Sequence, residues 1–180
     1  FRRVLFRSLP AAATRSGYSF NGWYTASSGG SKVGDASGSY TPTNTADFSI
    51  YAQWTINTHT VTYNGNSNTG GSVPVDASSP YNYGATVTVK ANTGTLTRTG
   101  YTFNNWNTAA NGSGTSYSAN GSTTFTLGDA DVVLYAQWSA QSYTVTWNSN
   151  GGSAVSPGTT SWTYATSLSL PERSEEHTSE

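Results

Sequence analysis

The sequence contains no cysteine and no methionine. Without cysteine there is no disulfide framework, no thiol nucleophile and no cysteine zinc site. Charge is scarce as well: charged residues are 9% of the chain, against roughly 25% in an ordinary soluble domain. Eight Lys and Arg face nine Asp and Glu, for a formal net charge of −1. A protein that holds nucleic acid by neutralising phosphates needs a basic patch, and this balance supplies none. No run approaches the roughly 18 consecutive apolar residues of a membrane-spanning helix. There is no leader with a charged start and an apolar stretch; with Phe1 at its start, the chain reads as an internal fragment.

What is present is neutral and aromatic. Thr 29, Ser 27 and Asn 15 supply the polarity, and aromatic rings make up 13% of the chain, with 6 Trp and 12 Tyr. Disordered segments are poor in such rings and usually charged, so a folded chain is expected. The two ends stand apart from this composition. Residues 173–180, Arg-Ser-Glu-Glu-His-Thr-Ser-Glu, back-translate as AGA TCG GAA GAG CAC ACG TCT GAA. The reverse complement of that string translates to Phe-Arg-Arg-Val-Leu-Phe-Arg-Ser, which is residues 1–8. Both octapeptides are read as translated sequencing adapter and set aside from fold reasoning. Between them, one histidine remains, His59, with few acids.

The rest repeats itself. Arg15-Ser-Gly-Tyr18-Ser-Phe20-Asn-Gly-Trp23 returns 83 residues on as Arg98-Thr-Gly-Tyr101-Thr-Phe103-Asn-Asn-Trp106. Tyr51-Ala-Gln-Trp54 returns 84 on as Tyr135-Ala-Gln-Trp138, and Thr60-Val-Thr-Tyr63-Asn returns 84 on as Thr144-Val-Thr-Trp147-Asn. Internal periodicity of this kind marks a repeat architecture. Residues 55–138 read as one complete unit of about 84 residues, 9–54 as the back part of a preceding unit and 139–172 as the front part of a following one.

Each block alternates as a strand does. Residues 50, 52 and 54 share one apolar face, as do 134, 136 and 138, with Gln53 and Gln137 on the other face beside Tyr51 and Tyr135. Ala85–Val89 is a β-branched run, and 123–127 a weaker one. Asn-Gly pairs at 64–65, 111–112, 120–121 and 150–151 are turn signals. No segment carries a helical stripe of useful length; at most one short helical turn fits between Trp106 and Tyr135. The expected class is mainly β, with little helix.

The G-Y-x-F-x-x-W segment, the closing L-Y-A-Q-W and the opening Y-T-V-T-W-N-S-N-G-G resemble the Listeria–Bacteroides repeat, also called the internalin B-repeat. The resemblance covers nearly all of 9–172. It implies small β-grasp-like modules strung in tandem on secreted or cell-wall proteins of bacteria, a family associated with surface adhesins and not with catalysis. The longer middle at 77–96 departs from the shorter family pattern and leaves the strand count there open.

Little in the chain points to chemistry. No catalytic, cofactor-binding or metal-binding residue is identified. Asp129 and Asp131 flank Ala130 and read as a solvated turn entering a strand, since two acids without further oxygen donors make a poor cation site. His59 has no counterpart one repeat on, and no G-x-S-x-G or phosphate-loop pattern occurs. The aromatics are the better candidates. Tyr18, Phe20, Trp23, Tyr51, Trp54, Tyr101, Phe103, Trp106, Tyr135 and Trp138 form the repeat signature, and most read as core with Ile50 and Leu134. Tyr24, Tyr81, Tyr83, Tyr117 and Trp162 fall outside the signature and are expected to be exposed, where rings can bind sugars.

The leading reading is a non-catalytic extracellular repeat segment, a spacer, stalk or adhesive module of a bacterial surface or secreted protein. Its partners would be neighbouring repeats in the same chain and a host or cell-wall protein or glycan. Thr55-Ile-Asn-Thr58 and Ser139-Ala-Gln141 read as linkers too short for wide swings. The alternative is a carbohydrate-binding module of a secreted glycan-active enzyme, using exposed Trp and Tyr.

Overall fold

In a computed structural model, residues 7–44 and 46–171 are described. The octapeptide 173–180 and residues 1–6 of its counterpart lie outside the described residues. Among the described residues there are fifteen strands and no helix. The first eight are β1 (Arg7–Ser8), β2 (Tyr18–Tyr24), β3 (Lys32–Gly34), β4 (Ser39–Tyr40), β5 (Tyr51–Ile56), β6 (Thr58–His59), β7 (Val61–Asn64) and β8 (Tyr81–Asn82). The rest are β9 (Thr86–Thr88), β10 (Tyr101–Asn107), β11 (Ser116–Tyr117), β12 (Thr124–Thr126), β13 (Val132–Ala140), β14 (Ser142–Thr146) and β15 (Thr159–Thr163). The longer middle of the repeat thus contributes β8 and β9.

The chain forms two compact units. One takes the described residues of Phe1–Thr62 with Asp76–Val89 and Thr124–Val133; the other takes Tyr63–Val75, Lys90–Thr123 and those of Leu134–Glu180. Each draws on residues from 55–138.

The repeated sequence blocks build the two larger sheets. β3-β2-β5 is one, and β11-β10-β13-β7 the other. In the first, Tyr18 faces Ile56, Phe20 faces Trp54 and Trp23 faces Ala52; in the second, Tyr101 faces Ala140, Phe103 faces Trp138 and Trp106 faces Ala136. Both pairs carry a bulge at the same place, between Phe20 and Gly22 and between Phe103 and Asn105. The bulge inserts an extra residue into one strand. It therefore brings Phe20 and Trp23, which are three apart, together at 5.5 Å, and Phe103 and Trp106 at 5.3 Å.

Trp106 is the centre of the second unit. It is fully buried, lies edge-on to Tyr63 at 4.9 Å, and donates its indole N–H to Lys90 O at 3.0 Å. The Tyr63 hydroxyl in turn accepts from Lys90 N–H at 2.7 Å, so the apolar packing also satisfies both polar tips. Leu96, Leu134 and Ala136 complete this core. In the first unit the fully buried side chains are Val61, Val87, Val89 and Leu127, with Leu9 against Gly34.

Several expectations are corrected. Of the signature aromatics expected as core, Trp106 is fully buried while Tyr18, Phe20, Trp23, Trp54, Tyr101, Phe103 and Trp138 are half-buried, as is Ile50. Tyr51 is 41% exposed and Tyr135 half-buried. The short helical turn is not seen among the described residues. Asn107 replaces it: fully buried, it donates to Gly112 O, Gly114 O and Ser116 Oγ and accepts from the N–H groups of Ala109 and Gly114. One side chain thereby holds the whole 108–116 loop in a non-helical path. The expected linkers are almost entirely strand; only Asn57 separates β5 from β6, and only Gln141 separates β13 from β14.

Trp106→Ala is expected to cost about 3–5 kcal/mol, as for other fully buried Trp truncations. Trp162→Ala, at a half-buried position on a two-stranded sheet, is expected to cost distinctly less. Urea unfolding of both variants measures the difference.

Candidate functional site

The site with the most structure in it lies where one repeat passes into the next, and it is built twice. It starts from the R-x-G-Y turn. Tyr18 N–H donates to Arg15 O at 3.0 Å and Tyr101 N–H to Arg98 O at 2.9 Å, closing four-residue turns. Gly17 and Gly100, third in each turn, both have φ of 74°. A turn with positive φ at that position selects glycine. The guanidinium of Arg15 lies 3.7 Å over the Tyr18 ring and that of Arg98 4.1 Å over the Tyr101 ring, a cation–π contact in each.

A tyrosine from the following segment then lands on each glycine. A Cβ on Gly17 would collide with the Tyr83 ring, and one on Gly100 would collide with the Tyr164 ring. Tyr164 also meets Tyr101 edge-on at 5.5 Å, and the Tyr83 hydroxyl is 3.3 Å from Ser16 Oγ. The single residue between strands ties the contact together. Asn57 N–H donates to Gly17 O at 2.9 Å while its carbonyl accepts from Tyr83 N–H at 2.8 Å. Gln141 N–H donates to Gly100 O at 2.8 Å while its carbonyl accepts from Tyr164 N–H at 2.8 Å. The backbone pattern is the same at both places.

The side chains differ. At the first junction Asn57 Nδ2 donates to Asp129 Oδ1 at 2.8 Å and Asn57 Oδ1 accepts from Ser19 Oγ at 2.7 Å. His59 Nε2 lies 2.8 Å from the same Asp129 oxygen, and its Nδ1 3.7 Å from Asp131 Oδ1. Asp131 accepts the N–H of Thr60 at 2.6 Å. The acids read from sequence as a solvated turn are therefore engaged. The Asn57 hydrogen bond, then that of His59, holds the Asp129 carboxyl below its ordinary pKa; the N–H and side chain of Thr60 do the same for Asp131. At the second junction Gln141 Oε1 accepts from the Tyr143 hydroxyl at 2.5 Å instead. Among the described residues no group of three His, Asp or Glu is placed to hold a metal ion.

The five aromatics expected to be exposed are all half-buried. Tyr24 faces Tyr51 across β2–β5; Tyr81 donates to the buried Asp76 at 2.8 Å; Tyr83 is the ring on Gly17. Tyr117 faces Trp106 in β11–β10, and Trp162 donates to Thr166 O at 2.9 Å. Tyr24, Tyr81 and Tyr83 belong to the first compact unit, Tyr117 and Trp162 to the second. Among the described residues the exposed Phe, Tyr and Trp rings are Phe48, Tyr51 and Tyr143. Sequence reading missed Asn57, Gln141 and Tyr164, although the 84-residue spacing of Asn57 and Gln141 was available as a signal.

The Listeria-Bacteroides repeat domain family matches three segments, residues 6–53, 59–137 and 143–178. Asn57 and Gln141 fall in the two gaps. A protein of Evansella cellulosilytica named as a Gly-rich membrane protein is 37% identical over 170 residues, 91% of this chain and 19% of its own. A second membrane protein by name from that organism is 35% identical over 131 residues, 73% of this chain and 18% of its own. Internalin H of Listeria monocytogenes is 43% identical over 54 residues, 30% of this chain and 9% of its own. The chain thus spans less than a fifth of the length of each of these relatives. No solved structure matches.

Two outcomes follow. Gly100→Ala is expected to cost more than about 1 kcal/mol, because positive φ and the Tyr164 ring both oppose a Cβ, whereas Gly128→Ala meets open space. Thermal unfolding compares them. The lowered Asp129 and Asp131 pKa values make folding favour the charged forms. That stability is complete above the ordinary Asp range, near pH 4, and is lost as pH falls through the folded values. Asp129→Asn is expected to flatten the acid limb of a melting-temperature profile.

Proposed function

Since the chain belongs to the Listeria-Bacteroides repeat domain family, we propose that it serves as a semi-rigid, non-catalytic spacer of a bacterial cell-surface or secreted protein. The observation that carries this reading is the duplicated junction. A passive tether needs no specific contacts between successive modules. Here two backbone hydrogen bonds and a ring seated on glycine recur at both places where one matched segment gives way to the next. With one residue between strands, there is no length of chain left to swing.

Composition supports the same use. Both junctions rest chiefly on neutral groups, so salt has little to screen. The relatives named as membrane proteins and the internalin fit a surface location, and the length they carry beyond this segment leaves room for binding domains that a spacer would hold out.

A glycan-binding role draws support from one feature. Tyr143, 43% exposed, lies beside Trp162 with ring centres 5.9 Å apart and planes 32° from parallel, a small aromatic platform. The complete repeat offers no such pair, since His59 and Tyr81 hold the corresponding places on β6 and β8. A platform confined to one repeat makes the glycan role the weaker reading.

The chain's lack of cysteine allows clean spin labelling. Nitroxides at Ser39→Cys and Thr88→Cys, both exposed positions of the first compact unit, report across the first junction. A single narrow distance distribution is expected, broadened by Tyr83→Ser. A broad distribution in the parent chain would contradict the spacer reading. Protection of Trp from acrylamide quenching by a cell-wall or plant glycan would instead favour the binding module.

A further inference from the structure

An Asn-Gly pair turns the chain, and it also carries a latent reaction. Because the second residue has no side chain, its backbone nitrogen can approach the carbonyl carbon of the Asn side chain, Cγ. This chain has four such pairs, at 64–65, 111–112, 120–121 and 150–151, and the turns that hold them differ.

At Asn120 the side chain is folded back over its own turn. Oδ1 accepts from Ser122 N–H at 2.9 Å, Thr123 N–H at 3.0 Å and Thr123 Oγ1 at 3.1 Å. Backbone N–H groups only donate, so the atom that faces them is the oxygen. The donors surround the atom on which negative charge develops when a nucleophile adds to Cγ, which is the arrangement of an oxyanion hole. The nucleophile is at hand: Gly121 lies between Asn120 and its donors, and among the described residues its N–H meets no acceptor. Asn120, Gly121 and Ser122 are all exposed, so water and hydroxide reach them.

The other pairs each lack part of this. Asn111 Oδ1 accepts from Ser113 N–H at 3.1 Å and Ser113 Oγ at 2.8 Å, but the Gly112 N–H is tied to Ala109 O at 3.0 Å. Asn64 Oδ1 accepts from Asn66 N–H alone, at 2.8 Å, and Gly65 is buried with the Asn68 side chain where a Cβ would stand. Among the described residues no donor meets Asn150 Oδ1.

We propose that Asn120 is a self-modification site, converted to aspartyl and isoaspartyl residues through a cyclic imide. Solvent hydroxide takes the Gly121 N–H proton, and the nitrogen attacks Asn120 Cγ. A Cγ–N bond forms, the Cγ–Nδ2 bond breaks, and ammonia leaves with a proton returned from water. Water then opens the ring. Attack at Cγ releases the Gly121 nitrogen and leaves Asp; attack at the main-chain carbonyl of residue 120 leaves isoaspartate. The net change is one water in and one ammonia out, with nothing oxidised or reduced. Either product adds a negative charge to a chain whose formal net charge is −1. The isoaspartyl form also lengthens the main chain just ahead of β12.

Incubation of the folded full chain in mildly alkaline buffer tests this, with each pair followed by peptide mass spectrometry. Asn120 is expected to convert first, several-fold faster than Asn64, Asn111 and Asn150. The ranking is expected to collapse in urea, where all four pairs lose their turns. Equal or faster conversion of another pair in the folded chain overturns the proposal, as does a ranking that persists in urea. Thr123→Val removes one donor while keeping the branched shape, and is expected to slow Asn120 alone on the order of fivefold, the worth of one hydrogen bond. An unchanged rate in the variant, shown by circular dichroism to be folded, also overturns it. Should the variant not fold, the ranking in the parent chain decides.

Discussion

Two backbone hydrogen bonds made by one residue organise this chain. Asn57, and Gln141 after it, donates back to the glycine of the preceding R-x-G-Y turn and accepts from the tyrosine that follows. Its N–H is taken by the preceding segment and its carbonyl by the following one, so a single residue is held by both segments at once. That fixes the length of the connection. The glycine is then required twice over, by positive φ in its turn and by the ring lying against its α-carbon.

The backbone does the repeating while the side chains vary. At the first junction, Asn57 and His59 share one carboxylate oxygen of Asp129; at the second, Gln141 and Tyr143 form a neutral pair. Such a design tolerates sequence drift among repeats, since what must persist is a glycine, an aromatic ring and a count of residues. It also accounts for the composition. A module that couples through main-chain groups and rings has little need of Lys, Arg, Asp or Glu.

Much of the fold was legible in the sequence because the period-2 pattern in Tyr51–Trp54 and Tyr135–Trp138 is strong and recurs. The family emerged from the same blocks. What was not legible has physical causes. The bulges at Phe20–Gly22 and Phe103–Asn105 shift the alternation midway along β2 and β10, so pattern alone cannot tell which rings end up inside. Val87 lies in a short, Thr-rich strand and Val89 and Leu127 just past the ends of two such strands, so their burial depends on pairing across 36 or more residues. Asn107 looks like any loop asparagine until its five hydrogen bonds are seen. Tyr24 and Tyr83, expected to be exposed, meet partners distant in sequence, Tyr51 and Gly17.

Order at the junction in solution is what separates coupled repeats from tethered ones. Amide hydrogen exchange, followed residue by residue by NMR, reads it directly at four positions: Asn57, Tyr83, Gln141 and Tyr164. These N–H groups are expected to be protected to the same degree as neighbouring amides paired within β5 and β13. Exchange at the rate of an unstructured chain at all four, with the strands themselves protected, would mean that successive repeats are merely tethered.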